Sequence, residues 1–325
     1  MRYPKNPRPS ESFRPVRLSQ KALAQHFEGF VRSLRRRKPE TRGTYERALR
    51  PFLQWFAEDR NCHFRVEDLE RYKAYLVRRR RLSEVSVSTY LTALRRFCQY
   101  LVRQEVLPED PSRLIRGNKR PLRHSRRALS RQQVERLLAV LPGDGERGAR
   151  DGVIVLLMLR CGLSEIEIVR ADQADLFREG GETRLAVQGK GATAKTQAVL
   201  LPDDVCQALA EYRRIRGGRR PRDPLVVSAG KNRRGKRMST RAVRDSVNEL
   251  LSRAGLRNEG AAVTPFSLRH TAALLLARSG ATAEEIRASM RLGTVATARV
   301  YLDQMNDDSP ERSRYTDHGV SVSHH

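Results

Sequence analysis

Apolar residues recur at three- and four-residue spacing from about residue 18 to 105, which is the period of amphipathic α-helices. Four helices are predicted there, over about 19–31, 41–57, 66–77 and 83–104. Ser19 is placed to cap the first of them. Helices of this number and length form a compact all-α module.

Beyond residue 128 the pattern changes between helical periods and short strands. Strands are predicted at 183–188 and 198–202, joined as a hairpin, with another at 225–228. A turn is predicted at 143–148, and helices fill the rest, over about 130–141, 150–161, 203–215, 239–254, 266–278, 282–290 and 295–304. The fold class is therefore mainly α with a small antiparallel β-sheet (α+β).

Prolines and charge mark the boundaries between domains. Pro108, Pro111 and Pro121 break the helical period, and a basic run follows at 119–127. The predicted divisions are a flexible basic arm (1–17), a helical domain (18–107), a basic linker (108–127), a second domain (128–305) and a polar tail (306–325).

The net charge of the chain indicates which class of molecule it binds. The 325 residues include 64 Lys and Arg against 37 Asp and Glu, a formal charge of +27, which predicts a polyanionic partner and favours double-stranded DNA. The basic residues that we expect to contact DNA lie in runs: Arg78, Arg79, Arg80, Arg81, Arg95, Arg96, Lys119, Arg120, Arg126, Arg127, Arg233, Arg234 and Arg237.

Membrane insertion and secretion are not indicated. The longest apolar run, 153–159, is far shorter than a membrane span, and the basic N-terminus has no apolar signal core. The four cysteines are scattered without a CxxC pair, so neither a zinc site nor a disulfide framework is predicted. We expect a cytoplasmic, bacterial-type protein associated with the nucleoid.

Two motifs near the end of the chain carry candidate chemistry. In Thr264-Pro-Phe-Ser-Leu-Arg-His-Thr271, Arg269 offers a fixed bidentate grip for a phosphate. In Arg299-Val-Tyr301, Tyr301 is a phenol that can attack a phosphodiester. The alternative for Tyr301 is a tyrosine packed in a late core helix.

These motifs, with Cys161-Gly-Leu and the Gly189-Lys-Gly191 hairpin before them, resemble the tyrosine recombinases (phage-integrase and Xer-like) of bacteria over about residues 20–305. The resemblance implies an N-terminal core-binding (SAM-like) domain and a catalytic-type domain that close around a duplex as a clamp. It also implies cleavage through a 3′-phosphotyrosyl link, with no metal or other cofactor.

Site residues follow from the resemblance, position by position. Tyr301 stands at the nucleophile, Arg269 at the second phosphate-clamp arginine and Lys190 at the general acid. His270 stands at a position that mainly supports the fold. For Lys190 a surface lysine in a glycine-rich turn stays the alternative, because Lys195 lies close by.

Three positions depart from the family pattern. Ser164 stands where the first arginine belongs, and Phe266 and Leu292 stand at the two histidine positions; a different local match puts Thr294 in place of Leu292. Phe and Leu can neither donate nor accept a hydrogen bond. We therefore expect this chain's own cleavage chemistry to be weak or lost, unless Arg160 or Arg170 replaces the missing arginine.

Two functions stay open. In the first, the chain takes part in site-specific DNA recombination or integration, as a dimer or tetramer on DNA or beside companion recombinases. In the second, it is a non-catalytic DNA-binding regulator, a repressor or architectural factor, on the recombinase scaffold.

Overall fold

The computed structural model describes residues 16–37, 39–58, 63–117, 127–141, 145–189, 192–217, 220–257 and 263–307. The chain divides into two compact units, Met1–Arg120 and Pro121–His325. None of the helices in these ranges has the length and apolar character needed to cross a bilayer.

The first unit is helical. Its helices are α1 (Gln20–Ser33), α2 (Pro39–Glu58), α3 (Val66–Arg78) and α4 (Glu84–Arg103). Ser19 accepts a hydrogen bond from the amide of Ala22 (3.2 Å), so the predicted cap of α1 is present. The four helices lie where the apolar spacing predicts them.

The core of the first unit is rich in aromatic side chains from all four helices. Phe52 is fully buried, with Tyr72 edge-on to it at 5.0 Å between ring centroids, and Phe30 meets Phe97 edge-on at 5.5 Å. Such pairs stabilise a core beyond the area they bury, by about 0.5–1.5 kcal/mol each. The opposite faces of these helices are left to carry charge.

Residues that follow α4 pack onto the same core. A 3₁₀ turn spans Pro111–Arg113, and Asp110 caps it by accepting from the amide of Ser112 (2.9 Å). Arg95 on α4 donates to the carbonyl of Ile115 (2.8 Å), and Ile115 is buried. The first part of the predicted linker is thus held against the first unit.

The second unit joins helices to one small sheet. Its elements are α5 (Arg131–Ala139), α6 (Gly145–Leu159), α7 (Glu165–Arg170), β1 (Leu176–Glu179), β2 (Glu182–Val187), β3 (Gln197–Leu200), α8 (Asp203–Arg216), α9 (Thr240–Arg253), α10 (Pro265–Arg278), α11 (Ala283–Ser289) and α12 (Val295–Asp307). The prediction of a mainly α fold with a small antiparallel sheet is confirmed.

The sheet is antiparallel, in the order β1-β2-β3. Leu185 of β2 faces Leu176 of β1 and Val199 of β3, and it is fully buried. Strand β1 was not predicted from the sequence, because its exposed residues show no apolar alternation. Conversely, the predicted strand at 225–228 pairs only through isolated bridges, such as Val227 with Arg237.

The prediction of a turn over 143–148 is wrong from Gly145 onward, because α6 begins at that residue. From there α6 runs through the interior and packs against α8, α9 and α10. Helix α10 is buried on nearly every side, and α11 and α12 pack with it around a separate apolar cluster that includes Ile286 and Ala298. This arrangement places the start of α10 beside the end of α6.

Candidate active site

The candidate site forms where three segments of the second unit meet: the residues after α6, the first turns of α10, and the turn between α11 and α12. Gly162 follows α6 with a left-handed backbone (φ +58°), a conformation that glycine adopts without steric cost. A Cβ atom on Gly162 would lie 2.6 Å from Sδ of Met290. Glycine is therefore what allows these segments to approach.

Helix α10 presents two of the predicted site residues, Arg269 and His270, within its first two turns. Pro265 occupies the start of the helix, where its missing N–H costs nothing. The amide of Thr264 donates to Oγ of Ser267 (3.1 Å), which fixes the entry of the chain into the helix. The predicted motif thus forms a rigid helix start.

Arg269 is buried at the centre of the site, with 8% of its surface exposed. Its Nη1 donates to the carbonyl of Gly162 and to Oε2 of Glu167 (3.1 Å), and its Nη2 donates to the carbonyl of Met290. Burial lowers the pKa of this guanidinium while the charge of Glu167 opposes the change. Arginine stays protonated in proteins, so the group is a fixed cation.

Glu167 is the buried anion that this cation meets. Both the amide and the hydroxyl of Ser164 donate to its Oε2, each at 2.7 Å. Burial alone would raise its pKa, but the hydrogen bonds and charge of Arg291, with the charge of Arg269, outweigh burial and hold the pKa below its ordinary value. Glu167 is therefore ionised at neutral pH.

A second guanidinium, that of Arg291, reaches the same carboxylate from the turn after α11. Its Nε donates to Oε1 of Glu167 (2.5 Å), and its Nη2 donates to Oε2 (3.3 Å) and to the carbonyl of Gly162 (2.8 Å). Only 3% of the side chain is exposed. Two buried cations thus share one buried anion.

Neither of the two arginines considered as replacements at position 164 takes this place. Arg160 pairs with Asp204 (2.8 Å) and is partly exposed. Arg170 donates to the carbonyl of Gly189 at the start of the β2–β3 connection (3.3 Å). Arg291, together with Arg269, donates hydrogen bonds to the Glu167 carboxylate.

Tyr301 packs on the other side of Arg269, in the apolar cluster of α10, α11 and α12. It is 2% exposed, and its ring lies 5.4 Å from that of His270, which is itself buried. Burial raises the pKa of Tyr301 to about 12, although the Arg269 charge acts against this rise. The phenol is therefore protonated and enclosed in this conformation.

The two positions expected to carry histidine bring apolar side chains to this region. Phe266 is partly exposed (36%) and meets the ring of His270 edge-on at 4.6 Å. Leu292 packs against the apolar cluster of α10–α12. Thr294, the alternative register, caps α12 by accepting from the amide of Thr297 (3.3 Å). Phe266 and Leu292 offer no proton-transfer group.

The connection between β2 and β3 holds the predicted general acid, Lys190, which lies outside the described residues. Lys195, the nearby lysine, donates to Asp172 (2.6 Å) and Asp175 (2.5 Å). Burial lowers the pKa of Lys195, but its hydrogen bonds to these carboxylates outweigh burial and raise it. Lys195 is thus engaged as an internal cation, so Lys190 stays the prediction for the acid.

The predicted DNA-contacting residues fall into two environments. Most are exposed: Arg78, Arg79, Arg80, Arg81, Arg96, Arg127, Arg233, Arg234 and Arg237. Arg95 is half-buried and donates to the carbonyl of Ile115 (2.8 Å), and the exposed Arg237 donates to the carbonyl of Val169 (2.6 Å). Lys119, Arg120 and Arg126 lie outside the described residues.

Two residues of the site were not predicted from the sequence, Glu167 and Arg291. Glu167 carries a local signal, because it lies three residues after Ser164 and completes a capping box at the start of α7. Arg291 carries none, because 124 residues separate it from its partner. Only the fold brings the two together.

Comparison with known proteins gives matches over both units. The family described as phage integrase matches residues 127–307, and the phage integrase N-terminal SAM-like domain matches residues 24–105. Tyrosine recombinase XerA of Thermococcus kodakarensis is 30% identical over 281 residues, covering 86% of this chain and 89% of the relative. Tyrosine recombinase XerD of Ralstonia nicotianae is 28% identical over 267 residues, covering 80% and 82%.

Solved structures share the fold at lower identity. The XerH site-specific recombinase bound to palindromic difH substrate, a post-cleavage complex, has a TM-score of 0.71 at 18% identity, covering 92% of this chain and 85% of that one. A lambda integrase dimer bound to a COC′ core site has a TM-score of 0.69 at 13% identity, covering 88% and 97%.

Proposed function

Because this chain belongs to the phage integrase family, we propose that it binds duplex DNA and takes part in site-specific DNA recombination. The observation that carries the proposal is the buried set of Arg269, Glu167 and Arg291 beside Tyr301. Two cations around one anion leave a net positive charge in a water-poor site, where a phosphate is a fitting counterion.

In the proposed reaction, Arg269 binds the non-bridging oxygens of the scissile phosphate. The phenolic oxygen of Tyr301 attacks phosphorus, and the bond to the 5′-oxygen breaks. Lys190 protonates the departing 5′-oxygen, so that a 3′-phosphotyrosyl link and a free 5′-hydroxyl result. The attack requires Tyr301 to leave its buried position and to give its proton to solvent water, because the neutral phenol is a weak nucleophile and Phe266 and Leu292 cannot accept a proton.

The chemistry is expected to be slow, because Phe266 and Leu292 cannot donate or accept hydrogen bonds. Loss of one preorganised donor typically costs about 100- to 1,000-fold in rate. A second function, that of a non-catalytic DNA-binding regulator, is supported by the apolar residues Phe266 and Leu292 and by the burial of Tyr301. Both functions use the same DNA-binding surface.

A trapping experiment separates the two. The full chain is incubated with duplexes recovered from a random library by their binding to it, each carrying a nick that lets the short fragment with the released 5′-hydroxyl diffuse away. A covalent protein–DNA band that Tyr301→Phe abolishes is the result expected of a recombinase. Tight binding with no band, at any nick position, would leave the regulator as the function.

DNA binding itself is tested by how the binding constant K depends on salt concentration. Each phosphate contact releases counterions, so log K should fall with log salt by about 0.9 per contact. Replacing Arg79 and Arg80 with alanine should reduce that slope, because both side chains are exposed. An affinity that does not change with salt would exclude the DNA clamp. Assembly as a dimer or tetramer on DNA, or with companion recombinases, belongs to the same proposal.

A further inference from the structure

We propose that Arg291 supplies the positive charge that the family places at position 164, by neutralising Glu167 so that the charge of Arg269 remains available to a phosphate. This inference rests on the proposed function, since it assigns a role within the same site. Arg291 is in this view a positioning residue, which acts on the phosphate through Glu167 and Arg269.

Arg291 makes more hydrogen bonds to the Glu167 carboxylate than Arg269 does. Arg291 bonds both carboxylate oxygens, through Nε at 2.5 Å and Nη2 at 3.3 Å. Arg269 bonds one of them, through Nη1 at 3.1 Å. Both guanidiniums also donate to the carbonyl of Gly162. The carboxylate is thus held mainly by Arg291.

Charge explains why this matters for phosphate binding. If Arg269 were the only cation on Glu167, the two would form a neutral buried pair with little attraction for an anion. With Arg291 present the three groups sum to +1. Glu165, a further carboxylate whose charge acts on Arg269, pairs with Arg244 at 3.4 Å. The excess charge is therefore available at Arg269, 10% of whose side chain is exposed.

The location of Arg291 supports a replacement of the residue missing at 164. The hydroxyl of Ser164 lies 2.7 Å from the same Oε2 that both guanidiniums contact. An arginine at position 164 would begin beside this carboxylate and compete with Arg291 for it. Sequence spacing places the missing charge on α7, whereas the fold supplies it from the turn after α11.

The backbone at Arg291 is also unusual. Its φ is +52°, in the left-handed region that is costly for a residue with a side chain. Such conformations persist where the surroundings fix them, and they cluster at functional sites. Here the side chain is fixed by Glu167, by Gly162 and by a bond from Nη1 to the carbonyl of Ser289.

The test needs no cleavage activity. In duplexes selected by their binding to the full chain, one phosphate at a time is replaced by an uncharged methylphosphonate, and the ratio of the two Kd values is measured. For the wild type we expect a ratio of about 10 or more at one phosphate of each strand, the size of a hydrogen bond to a charged group. In Arg269→Ala the ratio at that phosphate should fall to near 1.

Arg291→Ala should lower the ratio at the same phosphate towards 1, and the double variant Ser164→Arg/Arg291→Ala should restore it. Arg287→Ala is the matched control, because it removes an arginine one helical turn earlier that pairs with Glu284 at the surface. Its ratio should equal that of the wild type. Urea unfolding checks that each variant folds.

A wild-type ratio in folded Arg291→Ala would overturn the proposal. If Arg291→Ala does not fold, the double variant decides: a folded protein with a restored ratio supports the proposal, and a ratio near 1 or failure to fold contradicts it. If no phosphate couples to Arg269 even in the wild type, the phosphate grip of the proposed function fails instead, which separates the two outcomes.

Discussion

The two sides of the candidate site differ in how they are built. On one side Arg269, Arg291 and Glu167 form a buried polar network, closed by hydrogen bonds to backbone carbonyls. On the other side Tyr301 lies in an apolar cluster with the His270 ring near its own, and Phe266 and Leu292 stand where we expect proton-transfer groups. We propose that the first side binds a phosphate, and we expect the second to transfer protons poorly.

The polar network and the apolar cluster differ in how easily a lost group can be replaced. Without an arginine at 164, Arg269 and Glu167 alone would form a neutral buried pair, and another cation that reaches Glu167 restores the net positive charge. An apolar side chain in place of a histidine cannot be offset in this way, because a proton-transfer group must itself lie within hydrogen-bond reach of the reacting atoms. A charge lost from a network is thus easier to replace than a lost proton-transfer group.

The largest stability difference between the two sides should come from Glu167→Gln and Tyr301→Phe. Glu167→Gln leaves two buried guanidiniums without an anion, and we expect it to lower the free energy of unfolding by about 3–5 kcal/mol. Tyr301→Phe removes one hydroxyl from an apolar cluster and should cost about 1 kcal/mol. Urea unfolding of the full chain measures both.

Glu135→Gln is the control for loss of a carboxylate, because Glu135 pairs with Arg131 at the surface and both are exposed. It should cost about 0–1 kcal/mol. If Glu167→Gln cost no more than this control, the network would not be the stabilising element described above.

The close approach at Gly162 should have the next largest effect. Gly162→Ala imposes a side chain on a left-handed backbone and a clash with Met290, and we expect a loss of about 2–4 kcal/mol. Gly180→Ala is matched, since its φ is also +58° but nothing lies within 4 Å of the added Cβ. It should cost only about 1–2 kcal/mol. Equal costs would mean that the end of the Met290 side chain moves aside without cost.

The smallest expected effect is a pH dependence of opposite sign on the two sides. The folded pKa of Glu167 is depressed, so its stabilisation is present above about 4.3 and is lost as pH falls through the folded value. The folded pKa of Tyr301 is raised, so its contribution is present below about 10 and is lost as pH rises through about 12.

Unfolding curves of the wild type and Glu167→Gln should therefore converge as the pH is lowered. Ultraviolet absorbance should show one phenol fewer titrating near pH 12 in Tyr301→Phe than in the wild type. If the free energies of unfolding of the two proteins differed by the same amount at every pH, the arginines would not be lowering the pKa of Glu167. Normal titration of Tyr301 would mean that the phenol is solvated.

Much of the fold follows from local pattern. Apolar spacing predicts the helices of the first unit, and Ser19 and Ser130 mark the starts of α1 and α5. Strand β1 escapes prediction because its residues are exposed and its pairing with β2 alone orders it. The short α7 escapes it because six residues show too little periodicity.

The site is predictable only where its residues lie in one motif. Arg269, His270 and Tyr301 follow from local sequence and family spacing. The role of Arg291 depends on a contact across 124 residues and on a left-handed backbone, and neither has a signal in the sequence around it. Electrostatic replacement of this kind is visible only in three dimensions.

The most direct test of the central claim is the rate of covalent trapping on the nicked duplex when each side is restored in turn. Phe266→His with Leu292→His should raise the rate of adduct formation by about 100-fold or more, because two proton-transfer groups are regained. Ser164→Arg in the otherwise wild-type chain should not raise it, because Arg291 already supplies that charge. A large gain from Ser164→Arg, or none from the two histidines, would contradict the account.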